Sequence, residues 1–205
     1  MTDGFFINLH KILVWPVTLG LMWIFRNVSI EMCVYLALHG TYSILWLLKQ
    51  RWYPDRRFDA RRPFSIGFAF VFLPLASYYV APYLVASRHV ALPAPLIAAI
   101  LSLYTLGVFL HYVGDAQKFY TLRAKPGLIT DGLFSWVRNP NYLGEIMIYS
   151  AFAALSAHWL PFLIVAAWTA FFFIPGARAK DRSLARYPAY ADYRKRTSAL
   201  IPLVW

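Results

Sequence analysis

Long apolar runs separated by short charged segments make up most of this chain. The runs are continuous rather than alternating, which indicates α-helices and not the strands of a membrane barrel. Runs of roughly 17–23 residues match a hydrocarbon core of about 30 Å, so each could cross a bilayer. The pattern predicts an all-α protein of about six transmembrane helices, near residues 12–27, 30–48, 64–86, 91–113, 141–157 and 159–175.

The polar segments carry the positive charge. Of the 20 Lys and Arg residues, six lie in 49–62, four in 114–139 and seven in 176–205. The predicted topology places all three segments on one side of the membrane, as the positive-inside rule requires. We therefore expect both termini in the cytoplasm. Gly127 and Gly132 break the middle segment, and we expect it to be a polar connection.

Composition supports a membrane class and limits the possible partners. The chain is 60% hydrophobic and 14% charged, with a mean hydropathy of +0.51, which is typical of an integral membrane protein. A net charge of +11 would suit nucleic acid, but its distribution favours anionic headgroups and phosphate-bearing ligands instead. Cys33 is the one cysteine, and the five histidines are scattered, so we expect neither a disulfide nor a metal site.

One segment, 132–145, combines a helix start with unusual chemistry. Asn139 can cap a helix, and Pro140 suits its first position, because the missing N–H costs nothing there. The amides of this helix start, beside Arg138, form a potential anion site at the membrane edge. Glu145 then enters an apolar run, where a carboxyl group favours its neutral, hydrogen-bonding form. An ordinary interfacial cap with an outward-pointing Glu145 is the alternative.

Other polar positions admit a structural and a functional interpretation. In the second run, His39, Tyr42 and Trp46 share a helix face that either packs inward or lines a substrate cavity. The fourth run ends near Asp115 and Lys118. These residues form either a charged helix end, in which His111 can pair with Asp115, or a phosphate and ribose clamp.

The basic, aromatic C-terminal segment is a third candidate for ligand binding. Its arginines offer forked donors to phosphate, and Tyr190 and Tyr193 offer flat surfaces on a shared face. An amphipathic helix lying on the membrane is the alternative. If this segment meets the connection 114–138 and the helix start at Asn139, the three could surround one polyanionic cofactor.

At these residues the chain resembles the membrane steroid 5-alpha-reductase and sterol reductase superfamily, and its short bacterial members in particular. The resemblance covers roughly 110–205. It is carried by Gln117-Lys118 with Arg123, by the segment from Gly132 to Glu145, and by the segment from Tyr187-Pro188 to Pro202.

The resemblance implies a single membrane domain over 1–205, with substrate-side helices in 1–110 and a cofactor-binding half in 111–205. It implies a bacterial inner-membrane enzyme that reduces a carbon–carbon double bond of a lipid-soluble enone with NADPH. Glu145 would hold the substrate carbonyl. The chain lacks the Gln-Glu element of the animal enzymes, and Tyr42 is the predicted substitute for the second acid. The predicted cofactor-binding residues are Asp115, Lys118, Arg123, Arg138, Asn139, Asn141, Tyr142, Arg178, Asp181, Tyr187, Tyr190, Tyr193 and Arg194.

Two rival interpretations remain open. The isoprenylcysteine carboxyl methyltransferases, which use S-adenosylmethionine, share an Arg-x-Pro-x-Tyr-x-Gly-like element that Arg138, Pro140, Tyr142 and Gly144 match. They usually carry paired glutamates after the last span, where this chain has Lys-Asp-Arg-Ser at 180–183, and this favours the reductase. The third interpretation is a non-enzymatic protein that binds anionic lipid. The predicted partners are membrane lipids and a lipid-soluble substrate, with no nucleic acid, and no oligomeric state is predicted.

Overall fold

The computed structural model describes residues 1–201 and contains seven helices longer than four residues within that range. Shorter turns of 3-10 helix lie at Arg56–Asp59 and Gly132–Ser135. Pro202, the last residue in the resemblance above, lies outside the described residues. We number the helices α1 (Asp3–Ile24), α2 (Ile30–Trp52), α3 (Phe64–Ser87), α4 (Ala94–Ala124), α5 (Pro140–Leu155), α6 (Trp159–Leu184) and α7 (Tyr190–Lys195).

Five of these helices, α1 to α4 and α6, are long and apolar enough to cross a membrane. The predicted all-α membrane class is confirmed. Helix α5 corresponds to the fifth predicted span, but its 16 residues rise only about 24 Å, less than the roughly 30 Å of the hydrocarbon core. It is therefore the one predicted span within residues 1–201 that does not meet the length of a membrane-crossing helix.

Two helix boundaries differ from the sequence prediction. Helix α1 begins at Asp3 rather than near residue 12, because the Thr2 hydroxyl accepts the N–H of Phe5 at 3.2 Å and caps the helix. Helix α4 continues to Ala124 through what was predicted to be a polar connection. Its 31 residues rise about 46 Å, so it is longer than a bilayer core is thick. Asp115, Lys118 and Arg123 therefore lie on a helix and not in a loop.

Helices α3 and α6 each contain a π-helical segment that ends two residues before a proline. In α3, Phe68–Phe72 precedes Pro74, and the N–H of Leu73 bonds to the carbonyl five residues back. In α6, Thr169–Phe173 precedes Pro175, with the same bond from Ile174. Proline has no N–H for the carbonyl four residues earlier. The wider π turns keep nearby backbone groups hydrogen-bonded, as an apolar membrane requires.

The chain divides into two compact units. The first unit comprises Met1–Leu101 with Tyr149–Ile164, and the second comprises Ser102–Ile148 with the described residues from Val165 onward. In the first unit, side chains satisfy backbone groups at helix ends. Asn27 donates to the carbonyls of Val85 and Ala86 at 3.1 and 3.0 Å, and Glu31 accepts the N–H of Leu92 at 2.7 Å. Buried unsatisfied groups would be costly, so these bonds fix the helix ends.

In the second unit, α4 and α5 cross with their backbones in near contact. A Cβ atom added at Gly144 would lie 2.5 Å from the carbonyl oxygen of Gly107 and 2.5 Å from the nitrogen of His111. One added at Gly107 would lie 2.8 Å from the oxygen of Gly144. One added at Gly114, two turns further along, would lie 3.1 Å from Pro140. Small residues thus allow the close packing that membrane helices often use.

We predict that Gly144→Ala lowers the free energy of unfolding by about 2 kcal/mol, because an extra methyl group forces the two helices apart. The measurement is thermal unfolding of the purified protein in detergent. Gly20→Ala is the matched control, since a Cβ atom there meets nothing within 4 Å. Equal unfolding temperatures for the two variants would contradict close packing at this crossing.

Candidate functional site

A basic cavity in the second unit brings together four helices. Lys118 comes from α4, Asn141 from the start of α5, Lys180 from the end of α6 and Tyr193 from α7. The cavity holds about 160 Å³, less than the roughly 300–1,000 Å³ of pockets that enclose a whole small ligand. It is therefore sized for part of a larger ligand. Its other lining residues are Leu122, Gly127, Leu128, Ile129, Phe134, Arg138, Ser183 and Leu184.

The guanidinium of Arg138, a residue only 7% exposed, joins three parts of the second unit. Its Nε and Nη2 donate to the two carboxylate oxygens of Asp181 at 2.9 and 3.0 Å. Its Nη1 donates to the carbonyl oxygen of Thr197 and, at 3.2 Å, to the Thr197 hydroxyl. The forked group suits this two-oxygen geometry. Arg138 thereby connects the start of α5 with α6 and with the segment after α7.

The start of α5 differs from the predicted cap in one respect. Pro140 occupies the first helical position as predicted, and the backbone carbonyl of Asn139 accepts the N–H groups of Tyr142 and Leu143. The Asn139 side chain instead donates from Nδ2 to the carbonyl of Ala199 at 2.8 Å. Its Oδ1 has no hydrogen-bond partner among residues 1–201. The predicted side-chain cap is wrong, because Oδ1, the atom that would accept an N–H of the first turn, accepts none among these residues; the bond from Nδ2 to Ala199 sets the orientation of the amide.

The connection between α4 and α5 pairs with the C-terminal segment. The N–H of Arg138 donates to the carbonyl of Ser198 at 2.9 Å, within a short parallel β-bridge. The hydroxyl of Tyr193 donates to the carbonyl of Phe134 at 2.7 Å. Burial raises the pKa of Tyr193 to about 12, so this phenol is neutral and remains a donor at ordinary pH.

The same connection is also fixed to α4. Gln117 donates to the carbonyl of Asp131 at 3.0 Å and accepts the N–H of Leu133 at 3.1 Å. Between them, Gly132 has a φ of +55° and packs against the Gln117 side chain. A left-handed backbone beside a close neighbour suits glycine. The neighbouring residue of α4, Lys118, lines the cavity.

Lys180 is a cavity residue that sequence reasoning did not select. Its ammonium lies 3.8 Å from the centre of the Tyr142 ring, a distance at which a cation is attracted to an aromatic face. Tyr142 itself packs in a buried apolar cluster with Phe173 and Leu200. Helical spacing alone could not have identified Lys180, because the residues that share its face and line the cavity, Ser183 and Leu184, are known to do so only from the structure.

Glu145 is half-buried and lies one turn beyond Asn141, so both residues lie on one face of α5. Because Asn141 lines the cavity, the predicted acid lies one helical turn from a lining residue. Lys118 and Lys180 make the lining positive, which suits phosphate oxygens.

The predicted cofactor residues thus fall into three groups. Those that line the cavity are Lys118, Arg138, Asn141 and Tyr193. Those that are buried or half-buried in the second unit without lining it are Asp115, Asn139, Tyr142, Asp181, Tyr187 and Tyr190. Those that are exposed are Arg123, Arg178 and Arg194. Burial, aided by the carboxylate of Asp181, raises the pKa of Tyr190 to about 12. Cofactor binding by all thirteen residues stays a prediction.

The predicted second acid, Tyr42, lies in the first unit and is fully buried. The predicted inward face of α2 is present, since His39 and Trp46 are buried beside it. Sequence reasoning did not identify Lys11, whose Nζ lies 4.1 Å from the centre of the Tyr42 ring. Lys11 lies just before the first predicted span, near 12–27. Helix α1, which is capped by Thr2 and begins at Asp3, contains it.

Comparison with known proteins now assigns the class. A family model described as "protein of unknown function (DUF1295)" matches residues 12–197, and the chain belongs to that family. Over 112 residues it is 36% identical to 3-oxo-5-alpha-steroid 4-dehydrogenase 2 of Macaca fascicularis and 35% identical to the Homo sapiens protein of the same name. The resemblance to the steroid 5-alpha-reductase superfamily is thus confirmed. Each match covers 50% of this chain and 43% of the relative, so the chain matches less than half of each relative's length.

We predict that Asp181→Asn lowers the free energy of unfolding by about 3 kcal/mol, because it leaves the buried charge of Arg138 without its carboxylate. The measurement is thermal unfolding in detergent. Asp192→Asn is the matched control, since its pair with Lys195 is exposed (83% and 78% for the two side chains) and should contribute nothing measurable. Similar losses in both variants would contradict the connecting role of Arg138.

Proposed function

We propose that this protein is a membrane reductase that uses NADPH to reduce the carbon–carbon double bond of a lipid-soluble enone, such as a steroid-like ketone. The names of the relatives support a 3-oxo steroid as the model substrate. The observation that carries the proposal is the basic cavity lined by Asn141, with the half-buried Glu145 one turn further along α5.

The cavity fits part of a dinucleotide. Lys118 and Lys180 offer cations to phosphate oxygens, and the Asn141 side chain can hydrogen-bond to a ribose or phosphate. Phe134, Tyr193 and the leucines of the lining provide apolar surface for a ring. The limited volume of the cavity indicates that residues beyond its lining, such as the exposed Arg123, Arg178 and Arg194, would contact the rest of the cofactor.

Arg138 has a second role in this proposal, besides its predicted contact with the cofactor. Its guanidinium binds Asp181 and Thr197, so most of its donors are used within the protein. Its role in this proposal is to hold the start of α5, the end of α6 and the residues after α7 around the ligand. The positive charge that faces the ligand comes mainly from Lys118 and Lys180.

In this proposal bound NADPH would supply a hydride to the carbon β to the ketone. The carboxyl group of Glu145 forms a hydrogen bond with the carbonyl oxygen, on which negative charge develops during the reduction. A proton from water then completes the reduced ketone at the α-carbon. Tyr42 remains a predicted second donor. The bacterial inner-membrane location and the cytoplasmic termini also remain predictions.

We predict that the purified protein oxidises NADPH when a 3-oxo-4-ene steroid is added, and that Glu145→Gln lowers kcat about 100-fold, because a positioned donor to a developing oxyanion contributes about that much. The measurement is the loss of NADPH absorbance. Asp192→Asn, which removes an exposed carboxylate, should retain the full rate. Equal rates for wild type and Glu145→Gln would remove Glu145 from the reaction. Failure of the wild type to consume NADPH with any lipid enone would reject the reductase.

A further inference from the structure

One part of the wall of the basic cavity is a loop rather than a helix. Gly127, Leu128 and Ile129 line the cavity and follow the end of α4 at Ala124. All three are half-buried and lie outside regular secondary structure. We call residues 126–131 the wall segment. A ligand in the cavity contacts this segment, so its position affects how well the ligand binds.

The wall segment makes few backbone hydrogen bonds of its own. Before it, the N–H of Lys125 donates to the carbonyl of Thr121 at 2.8 Å. The next bond between backbone groups within residues 1–201 is the one from the N–H of Phe134 to the carbonyl of Asp131, at 3.1 Å. A segment with so few internal bonds has little local stability. Its position must therefore come from its attachments to the rest of the second unit.

The side chain of Gln117, on α4, provides such an attachment. Its Nε2 donates to the carbonyl of Asp131 at 3.0 Å, and its Oε1 accepts the N–H of Leu133 at 3.1 Å. A side-chain amide can donate and accept at the same time. Because the two bonds are made on either side of Gly132, they fix both the position and the direction of the chain at the end of the wall segment.

Gly132 shows how close this contact is. A Cβ atom added there would lie 2.5 Å from Nε2 and 2.7 Å from Oε1 of Gln117. An alanine would therefore displace the amide. The chain runs directly against Gln117, with no space for a side chain between them.

The attachment also fixes the wall segment relative to charge. Lys118, the residue after Gln117, lines the same cavity. The attraction between an ammonium group and a phosphate falls with distance, so the spacing between α4 and the wall segment matters to a phosphate-bearing ligand. A wall that is already in place also reduces the cost of ordering the site when the ligand binds.

We propose that Gln117 is a positioning residue for a phosphate-bearing ligand of the basic cavity. It holds the wall segment against α4, so that the cavity is formed before the ligand enters. Gln117 acts through the wall segment and does not need to touch the ligand. The inference rests on the proposed function only for the identity of that ligand as NADPH.

The first test measures the affinity for adenosine 2′,5′-bisphosphate, which has phosphates and a ring of NADPH but no hydride to transfer. Its dissociation constant for the full chain in detergent is measured by isothermal titration calorimetry. Gln117→Met keeps the length of the side chain but makes neither bond. We expect it to raise the dissociation constant about tenfold, because the wall segment loses two hydrogen bonds.

Gln50→Met is the matched control. It makes the same chemical change in the first unit, at a side chain whose Nε2 has no hydrogen-bond partner among residues 1–201. This variant should bind the bisphosphate within about twofold of the wild type, since a distant site should act independently.

Gly132→Ala tests the same contact from the other side. It keeps Gln117 but pushes the amide away, and it should also raise the dissociation constant about tenfold. Gln117→Met/Gly132→Ala should again show about a tenfold rise, because one contact can be lost only once. A rise of about a hundredfold in the double variant would show independent effects and contradict a shared contact.

Hydrogen exchange without ligand separates positioning from general unfolding. Gln117→Met should speed the exchange of peptides that cover residues 126–133 about tenfold, while exchange in α5 stays at the wild-type rate. A general structural role would instead speed exchange in both places.

Unchanged affinity in Gln117→Met would overturn the proposal, as would exchange that rises equally throughout the second unit or a wild type that does not bind the bisphosphate. Binding that depends on Gln117, in a protein that never oxidises NADPH, would support the positioning role and reject the reductase. NADPH oxidation with the same KM for NADPH in wild type and Gln117→Met would do the reverse.

Discussion

The ion pair between Arg138 and Asp181 is the interaction on which the second unit depends. Both side chains are largely buried, with 6% and 18% exposure, so the charges are little screened and each needs the other. Through its remaining donors, Arg138 also holds Thr197 and the residues that follow α7. The pair joins the start of α5 to both the end of α6 and the C-terminal segment, which the apolar cluster of Tyr142, Phe173 and Leu200 also packs together. The cavity is formed by side chains from these same elements.

The close approach of α4 and α5 positions the remaining side of the cavity, which α4 contributes. Helices α4 and α5 approach closely because Gly107 and Gly144 have no side chains at the crossing. The imidazole of His111 then bonds from Nδ1 to the carbonyl of Asn141 at 3.1 Å. His111 of α4 is therefore bonded directly to the backbone of a residue that lines the cavity. The crossing therefore places Lys118, two turns beyond His111, on the same helix that contacts the start of α5. The glycines matter to function because they set this distance.

Much of the fold could be predicted from the sequence, because membrane helices are marked by length, apolar character and flanking charge. The boundaries were less certain where polar residues continue a helix. Asp115 to Arg123 read as a loop, yet helix-forming residues carry α4 well past the apolar run. Asn139 was predicted to cap the helix with its side chain, but its amide is oriented by a hydrogen bond to the distant carbonyl of Ala199. No local pattern contains that information, since the partner is 60 residues away.

The candidate sites, like the fold, could be predicted only in part from the sequence. Basic and aromatic residues in the second half indicated a cofactor region, and four of the thirteen predicted residues line its cavity. Sequence alone could not separate an arginine that binds a ligand from one that binds Asp181, because both need the same residue type. Sequence reasoning also missed that Lys11 is buried and bonded to Tyr149, because no spacing along the chain indicates this contact.

The central claim is that the second unit binds NADPH. The most direct measurement is the thermal stability of the purified protein with NADPH, compared with its stability in S-adenosylmethionine. A specific ligand at about 100 times its dissociation constant adds roughly 2.7 kcal/mol to the free energy of unfolding. The account predicts such stabilisation by NADPH and none by S-adenosylmethionine. Stabilisation by S-adenosylmethionine alone, or by neither compound, would contradict it.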